Sequence, residues 1–365
     1  MILQLYFARR FAMSFAFVFL AFLAIILLAE TMDQLRRFSA VEDSFARIFM
    51  LALLHCGETI YQFLPLITII ATLAMFNGLA RSSELIVTRS AGRSALRTLV
   101  PISVSVLLIG IISVAAMNPI VATTQNEYQH RARALLAIED RTASISEQGL
   151  WLREGDQTGQ SVIYAATSNA NGTELFEVQF ISFNIDGIPD QRIQSESAIL
   201  KDGYWELGNA RIWNLLEHNA AQGETREVET FKIPSNLTGD RIRDSFGEPN
   251  TISVWALPAF IQQLEGAGFS SRSHRVWLQT ELSQPFMLLS MLLISAAFSM
   301  RHIRGRNSGV MMLTAILIGF GLTFLRNFAR ILAENGQISI ELGTWVPPIA
   351  VLLLSMGVLL NMEDG

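Results

Sequence analysis

Long apolar runs flank a single long polar stretch. A helix needs ~20 mostly apolar residues to cross the hydrocarbon core of a bilayer, and several segments reach that length. The first runs from about Phe11 to Leu28, the second falls between Arg47 and Arg81 with its oiliest part from Tyr61 to Leu79, and the others run from about Leu99 to Met117, Leu282 to Met300, Val310 to Phe328 and Trp345 to Leu360. Three precede a polar stretch from about Val121 to Ser271, and three follow it. The order predicts an α-helical membrane protein with six transmembrane helices, 3 + 3, around one inserted domain. Expected boundaries are residues 1–121 for the first trio, 122–272 for the insert and 273–365 for the second trio.

Inside the insert the periodicity becomes that of strands. Phe176, Val178 and Phe180 alternate with Glu177 and Gln179, as on a strand with one buried face. Ile181, Phe183 and Ile185 continue on the shifted phase, which predicts a bulge or a twist. Lys201-Asp202-Gly203 lies between Ala198-Ile199-Leu200 and Tyr204-Trp205-Glu206-Leu207, the pattern of a hairpin turn. Trp213, Phe231 and Ile233 extend it, so an all-β domain is expected. After it, Ser253 is placed to cap a short amphipathic helix through Leu257, Phe260, Ile261 and Leu264, ending near Gly266.

Composition supports a membrane class: 51% of the 365 residues are hydrophobic, 16% are charged and mean hydropathy is +0.37. A net charge of −5 supplies no basic field and argues against nucleic acid as a partner. With Cys56 the only cysteine, an intrachain disulfide and a Cys-rich metal site are excluded. Arginines decide the orientation, because cationic residues beside a span stay in the cytoplasm. Arg9 and Arg10, then Arg81, Arg89, Arg93 and Arg97, then Arg301, Arg304 and Arg306 all fall on one side of a six-span arrangement. Both termini are therefore expected inside and the insert outside. Arg9-Arg10-Phe11 also fits a twin-arginine export signal, but the apolar run that follows is long and lacks a small-residue cleavage site.

The sequence shows no signature of covalent chemistry. Neither lysine, Lys201 or Lys232, follows a glycine as a phosphate-cradling Walker A loop requires. His55, His130, His218, His274 and His302 show no metal-ligand spacing, so neither a metal site nor a cofactor is expected.

Two groups of residues suit transport instead. Residues 82–92 read as a short cytoplasmic helix, with Ser82 or Ser83 at its start, Glu84 in the first turn against the positive dipole end, and Gly92 at its stop. Such a helix can lie on the membrane interface or dock into a cytoplasmic ATPase. Arg36 and Arg37 follow the first span, and Arg326 and Arg330 stand one turn apart near the outer end of the fifth. A guanidinium fork binds phosphate in bidentate fashion, and an arginine at this depth can equally snorkel to headgroups.

Arg81-Ser82-Ser83-Glu84-Leu85-Ile86-Val87 with Ala91-Gly92 is similar to the signature of the LptF/LptG permease family, so the chain resembles a permease of the lipopolysaccharide exporter. Met32-Asp33-Gln34-Leu35-Arg36-Arg37, Gln148-Gly149-Leu150-Trp151 and Gln284-Pro285 resemble the LptG branch more than the LptF branch. Glu30 departs from that pattern, standing where LptG proteins can carry a lysine. The resemblance implies an inner-membrane subunit of an ABC-type exporter, not itself an enzyme, that extracts lipopolysaccharide and passes it to a periplasmic bridge. It implies LptF as membrane partner, an LptB dimer as the ATPase, and LptC and LptA as neighbours of a β-jellyroll-like insert. Ser83, Glu84, Leu85, Arg89 and Gly92 would then couple to LptB, and Arg36, Arg37, Arg326 and Arg330 would bind substrate phosphates between the first and fifth spans. A permease of another lipid or lipoprotein exporter and a membrane-anchored scaffold or sensor remain as other readings.

Overall fold

The computed structural model describes residues 2–39, 44–82, 84, 95–136, 143–146, 149–155, 159–184, 188–215, 226–239, 242, 248–300 and 308–364. Among these, six helical stretches are long and apolar enough to span a membrane. They are α1 (Ile2–Arg37), α2 (Phe45–Arg81), α3 (Ala95–Ile112) with its continuation α4 (Asn118–Leu135), α6 (Arg272–Met300), α7 (Ser308–Glu334) and α8 (Ile340–Asp364). The short helix α5 is Leu257–Gly266.

The chain divides into two compact units. The first comprises Met1–Ala132, Asn250–Trp255 and Arg275–Gly365; the second comprises Arg133–Pro249 and Ala256–His274. In the first, α2 packs against both α1 and α7, α1 also meets α3, and α7 meets α8. Phe11, Leu64, Ile67, Phe76, Ile102, Leu288 and Leu292 are buried together at its centre. By contrast α1 and α7 leave Phe17, Leu20, Ile25, Phe320 and Phe324 exposed, apolar surface that a lipid or an apolar partner must cover. Gly110 lets α3 approach α6 closely: a Cβ there would lie 2.6 Å from the Pro285 Cα.

The third span is longer than its apolar run. A π-helical turn, Ser113–Met117, joins α3 to α4, and the helix continues to Leu135 through a polar sequence. Pro119 accounts for the wider turn, because its ring displaces the carbonyl four residues earlier, that of Ala115. The released Ala115 oxygen accepts a hydrogen bond from the Trp255 indole at 3.0 Å, and Asn118 Oδ1 accepts one from the Val254 N–H at 2.8 Å. The segment 250–255 is thereby held to the membrane unit.

The second unit is the β domain. Its described strands are β1 (Ala143–Ser146), β2 (Gly149–Gly155), β3 (Gly159–Ser168), β4 (Glu174–Asn184), β5 (Pro189–Lys201), β6 (Tyr204–Asn214) and β7 (Arg226–Pro234). They form one antiparallel sheet in sequence order. Leu152, Ile163, Phe180, Ile193 and Ile212 stand in one cross-strand row, each buried, and Leu175, Ala198, Leu207 and Phe231 form a second. Leu264 of α5 and Phe269 pack on the same core.

Local expectations meet mixed outcomes. The hairpin at residues 201–204 forms as read, with Lys201 opposite Tyr204 and Gly203 at φ +85°. The expected phase change occurs as a register shift between Ser182 and Phe183. An earlier break at Glu177, with φ +51°, leaves Phe176 exposed and gives its inner place to Leu175. Helix α5 is not capped by Ser253: it starts at Leu257 after Ala256, without a side-chain cap and with a proline in its first turn. A proline there lacks only an N–H that the helix start would leave unpaired anyway.

Candidate functional site

The first candidate centres on Glu84. Tyr6 of α1 donates a hydrogen bond to Glu84 Oε2 at 2.7 Å, and the Ser82 hydroxyl donates to Oε1 at 2.8 Å. The Tyr6 bond, then the Ser82 bond, and more weakly the nearby Arg10, hold the Glu84 carboxyl below the usual carboxylate range. An ionised carboxylate thus stands just beyond the end of α2, tied to the first turns of α1. Ser83, Leu85, Arg89 and Gly92 lie outside the described residues.

The arginines at the other end separate into two environments. Arg36 and Arg37 are both exposed, and Arg37 Nη1 donates to the Tyr128 hydroxyl of α4 at 3.0 Å. Arg326 is buried: its guanidinium donates to Gln284 Oε1 at 2.7 Å and to the Thr280 carbonyl at 3.1 Å, both on α6. Glu281 lies near enough to attract it and accepts a hydrogen bond from Tyr61 of α2. Arg330 rests over the Trp277 ring at 5.4 Å, with Glu334 at 3.8 Å from its Nε. The first pair is therefore turned to the surface, while Arg326 is engaged by α6.

A polar cluster missed in the sequence adjoins Arg37. Tyr128 also accepts from Gln34 at 3.0 Å and stacks on His55 with centroids 4.6 Å apart. His55 lies 3.9 Å from both Glu30 and Glu58 and within 3.1 Å of Gln125. Glu30 accepts from Thr59 at 2.7 Å, and Glu58 from Asn250 at 2.8 Å. The departure at Glu30 thus has a place: its carboxylate faces α2. The signal was available, since carboxylates and histidine inside an apolar span mark a polar interior contact. Among the described residues no cluster of metal-ligating side chains is present.

Comparison with known proteins shows the family. The family described as lipopolysaccharide export system permease LptF/LptG matches residues 5–361. The chain belongs to that family. It is similar to lipopolysaccharide export system permease protein LptG of Escherichia coli strain K12, at 21% identity over 335 residues, which is 90% of this chain and 89% of the relative. LptG of Escherichia coli O6:H1 matches to the same extent, 21% over 335 residues. As an LptF/LptG permease the chain is a transport subunit of lipopolysaccharide export in the inner membrane.

Proposed function

We propose that this chain is the LptG-type permease subunit, paired with LptF and driven by an LptB dimer that hydrolyses the ATP. The observation that carries the coupling role is Glu84, an ionised side chain beyond α2 gripped by Tyr6 of α1. A force applied by an ATPase at residues 83–92 would pass through that contact to the first span and through α2 to its neighbours. Arginine placement supports cytoplasmic termini and a periplasmic β domain. At the outer end, the exposed Arg36 and Arg37 would meet the phosphates of lipopolysaccharide while its acyl chains lie against the exposed apolar face of α1. The β domain would then pass the lipid towards LptC and LptA, by strand-edge pairing with similar domains.

The tagged chain, purified in mild detergent, should carry LptB and LptF with it. Glu84→Ala should insert normally and retain LptF yet lose LptB. Full LptB retention and unimpaired export by Glu84→Ala would overturn the coupling role.

A further inference from the structure

The third span runs on past its apolar part, which crossing a membrane does not require. Tyr128 stands about 15 Å beyond Asn118 along this polar extension, α4. There its hydroxyl accepts hydrogen bonds from Gln34 Nε2 and from Arg37 Nη1, each at 3.0 Å. Its ring stacks on His55 with centroids 4.6 Å apart, and His55 is held in turn by Gln125 at 3.1 Å. Tyr128 and Gln34 are buried, and these contacts without Arg37 already join α1, α2 and α4. Arg37 is exposed, so its bond adds little to that packing; what the bond does is fix the direction of the guanidinium. The buried Phe38 ring, its centroid 5.9 Å from the guanidinium carbon, steadies the same group from a second side.

The chemistry of the partner matters. A carboxylate in that place would neutralise the cation, whereas a phenol accepts one N–H and leaves the charge and the remaining donors for an anion. An exposed arginine loses rotamer freedom when it closes on a phosphate, and a side chain that is already ordered has less to lose. We infer that Tyr128 is a positioning residue, which presents the Arg37 guanidinium as a preset fork for a phosphate carried by the transported lipid. The inference rests on the reading of Arg37 as a phosphate ligand and deepens it by bringing α4 into the site.

Equilibrium binding of fluorescent lipopolysaccharide to the full chain, purified in detergent with the subunits that accompany it, tests the inference. Tyr128→Phe keeps the ring on His55 and should weaken binding about fivefold, the ordering cost of one long side chain. That weakening should persist in an Arg36→Gln background and vanish in an Arg37→Gln background, a pattern that a purely structural role for Tyr128 does not produce. Dephosphorylated lipopolysaccharide should bind all of these forms alike. If Tyr128→Phe does not fold, Gln34→Met, which removes the amide that pins the hydroxyl, carries the same cycle. Binding unchanged by Arg37→Gln would overturn the phosphate reading and the inference with it. Weakening by Arg37→Gln but not by Tyr128→Phe, an equal effect of Tyr128→Phe in both backgrounds, or the same effect on the dephosphorylated lipid would overturn the inference alone. Competition by phosphatidylglycerol as strong as that by unlabelled lipopolysaccharide would assign Arg37 to bulk headgroups and overturn both.

Discussion

Tyr6 and Ser82 donate to different oxygens of Glu84, and both bonds are strongest when the carboxyl is ionised and each oxygen carries negative charge, so the paired contact favours that form. Because the folded protein holds this carboxyl below its ordinary range, the contact is complete above that ordinary value and is lost as pH falls through the depressed one. Tyr6→Phe removes the largest cause of the shift and should move the Glu84 titration midpoint upward, read by carboxyl NMR; an unmoved midpoint would contradict the contact. Arg326 carries a second prediction. Its guanidinium donates to Gln284 and to the Thr280 carbonyl, and Arg326→Met would leave both buried acceptors without that donor. Loss of about 3 kcal/mol is expected from two charge-assisted hydrogen bonds, seen as a lower unfolding midpoint in detergent; an unchanged midpoint would show the network to be slack. The sequence located Arg326 at its depth but not its direction. Periodicity tells how far along a span a residue lies, whereas the partner that receives it, here Gln284, is set by how two distant helices pack.

Elements were legible to the extent that one strong local signal specified them. Six apolar runs became, among the described residues, six helical stretches long and apolar enough to cross a membrane, because length and composition are both local properties, and Asp202-Gly203 made its hairpin because glycine supplies the positive φ the turn needs. The continuation of the third span from Asn118 to Leu135 was not legible, since its sequence is polar and its stability comes from contacts made by Gln125 and Tyr128. The cluster around His55 was missed for the same reason, being shared among α1, α2 and α4. The start of α5 was misplaced because Ser253 matches a cap by type, whereas Pro258 fixes where the helix begins. Close approach of α3 and α6 gives a prediction at this scale. Gly110→Val would drive a side chain into the Pro285 backbone, where even a Cβ stands at 2.6 Å, and should separate the two helices. A cysteine pair placed across that contact should cross-link in the parent chain and stop doing so in the variant; continued cross-linking at full yield would contradict the packing.

At the scale of the whole molecule, the second and fourth spans are largely enclosed by the chain itself, the first and fifth are largely exposed, and the β domain is a compact unit of its own. The family to which the chain belongs is one of permeases. The account therefore requires that energy enter near Glu84 and that lipid be handled at the far end, beside Arg36 and Arg37. Proteoliposomes holding this chain with LptF, LptB and LptC, loaded with lipopolysaccharide and offered soluble LptA that carries a photo-cross-linker, test that requirement most directly. The account predicts ATP-dependent appearance of lipopolysaccharide on LptA, abolished by Glu84→Ala and strongly reduced when Arg36 and Arg37 are both replaced by glutamate. Transfer that proceeds without ATP, or that is indifferent to all three positions, would contradict it.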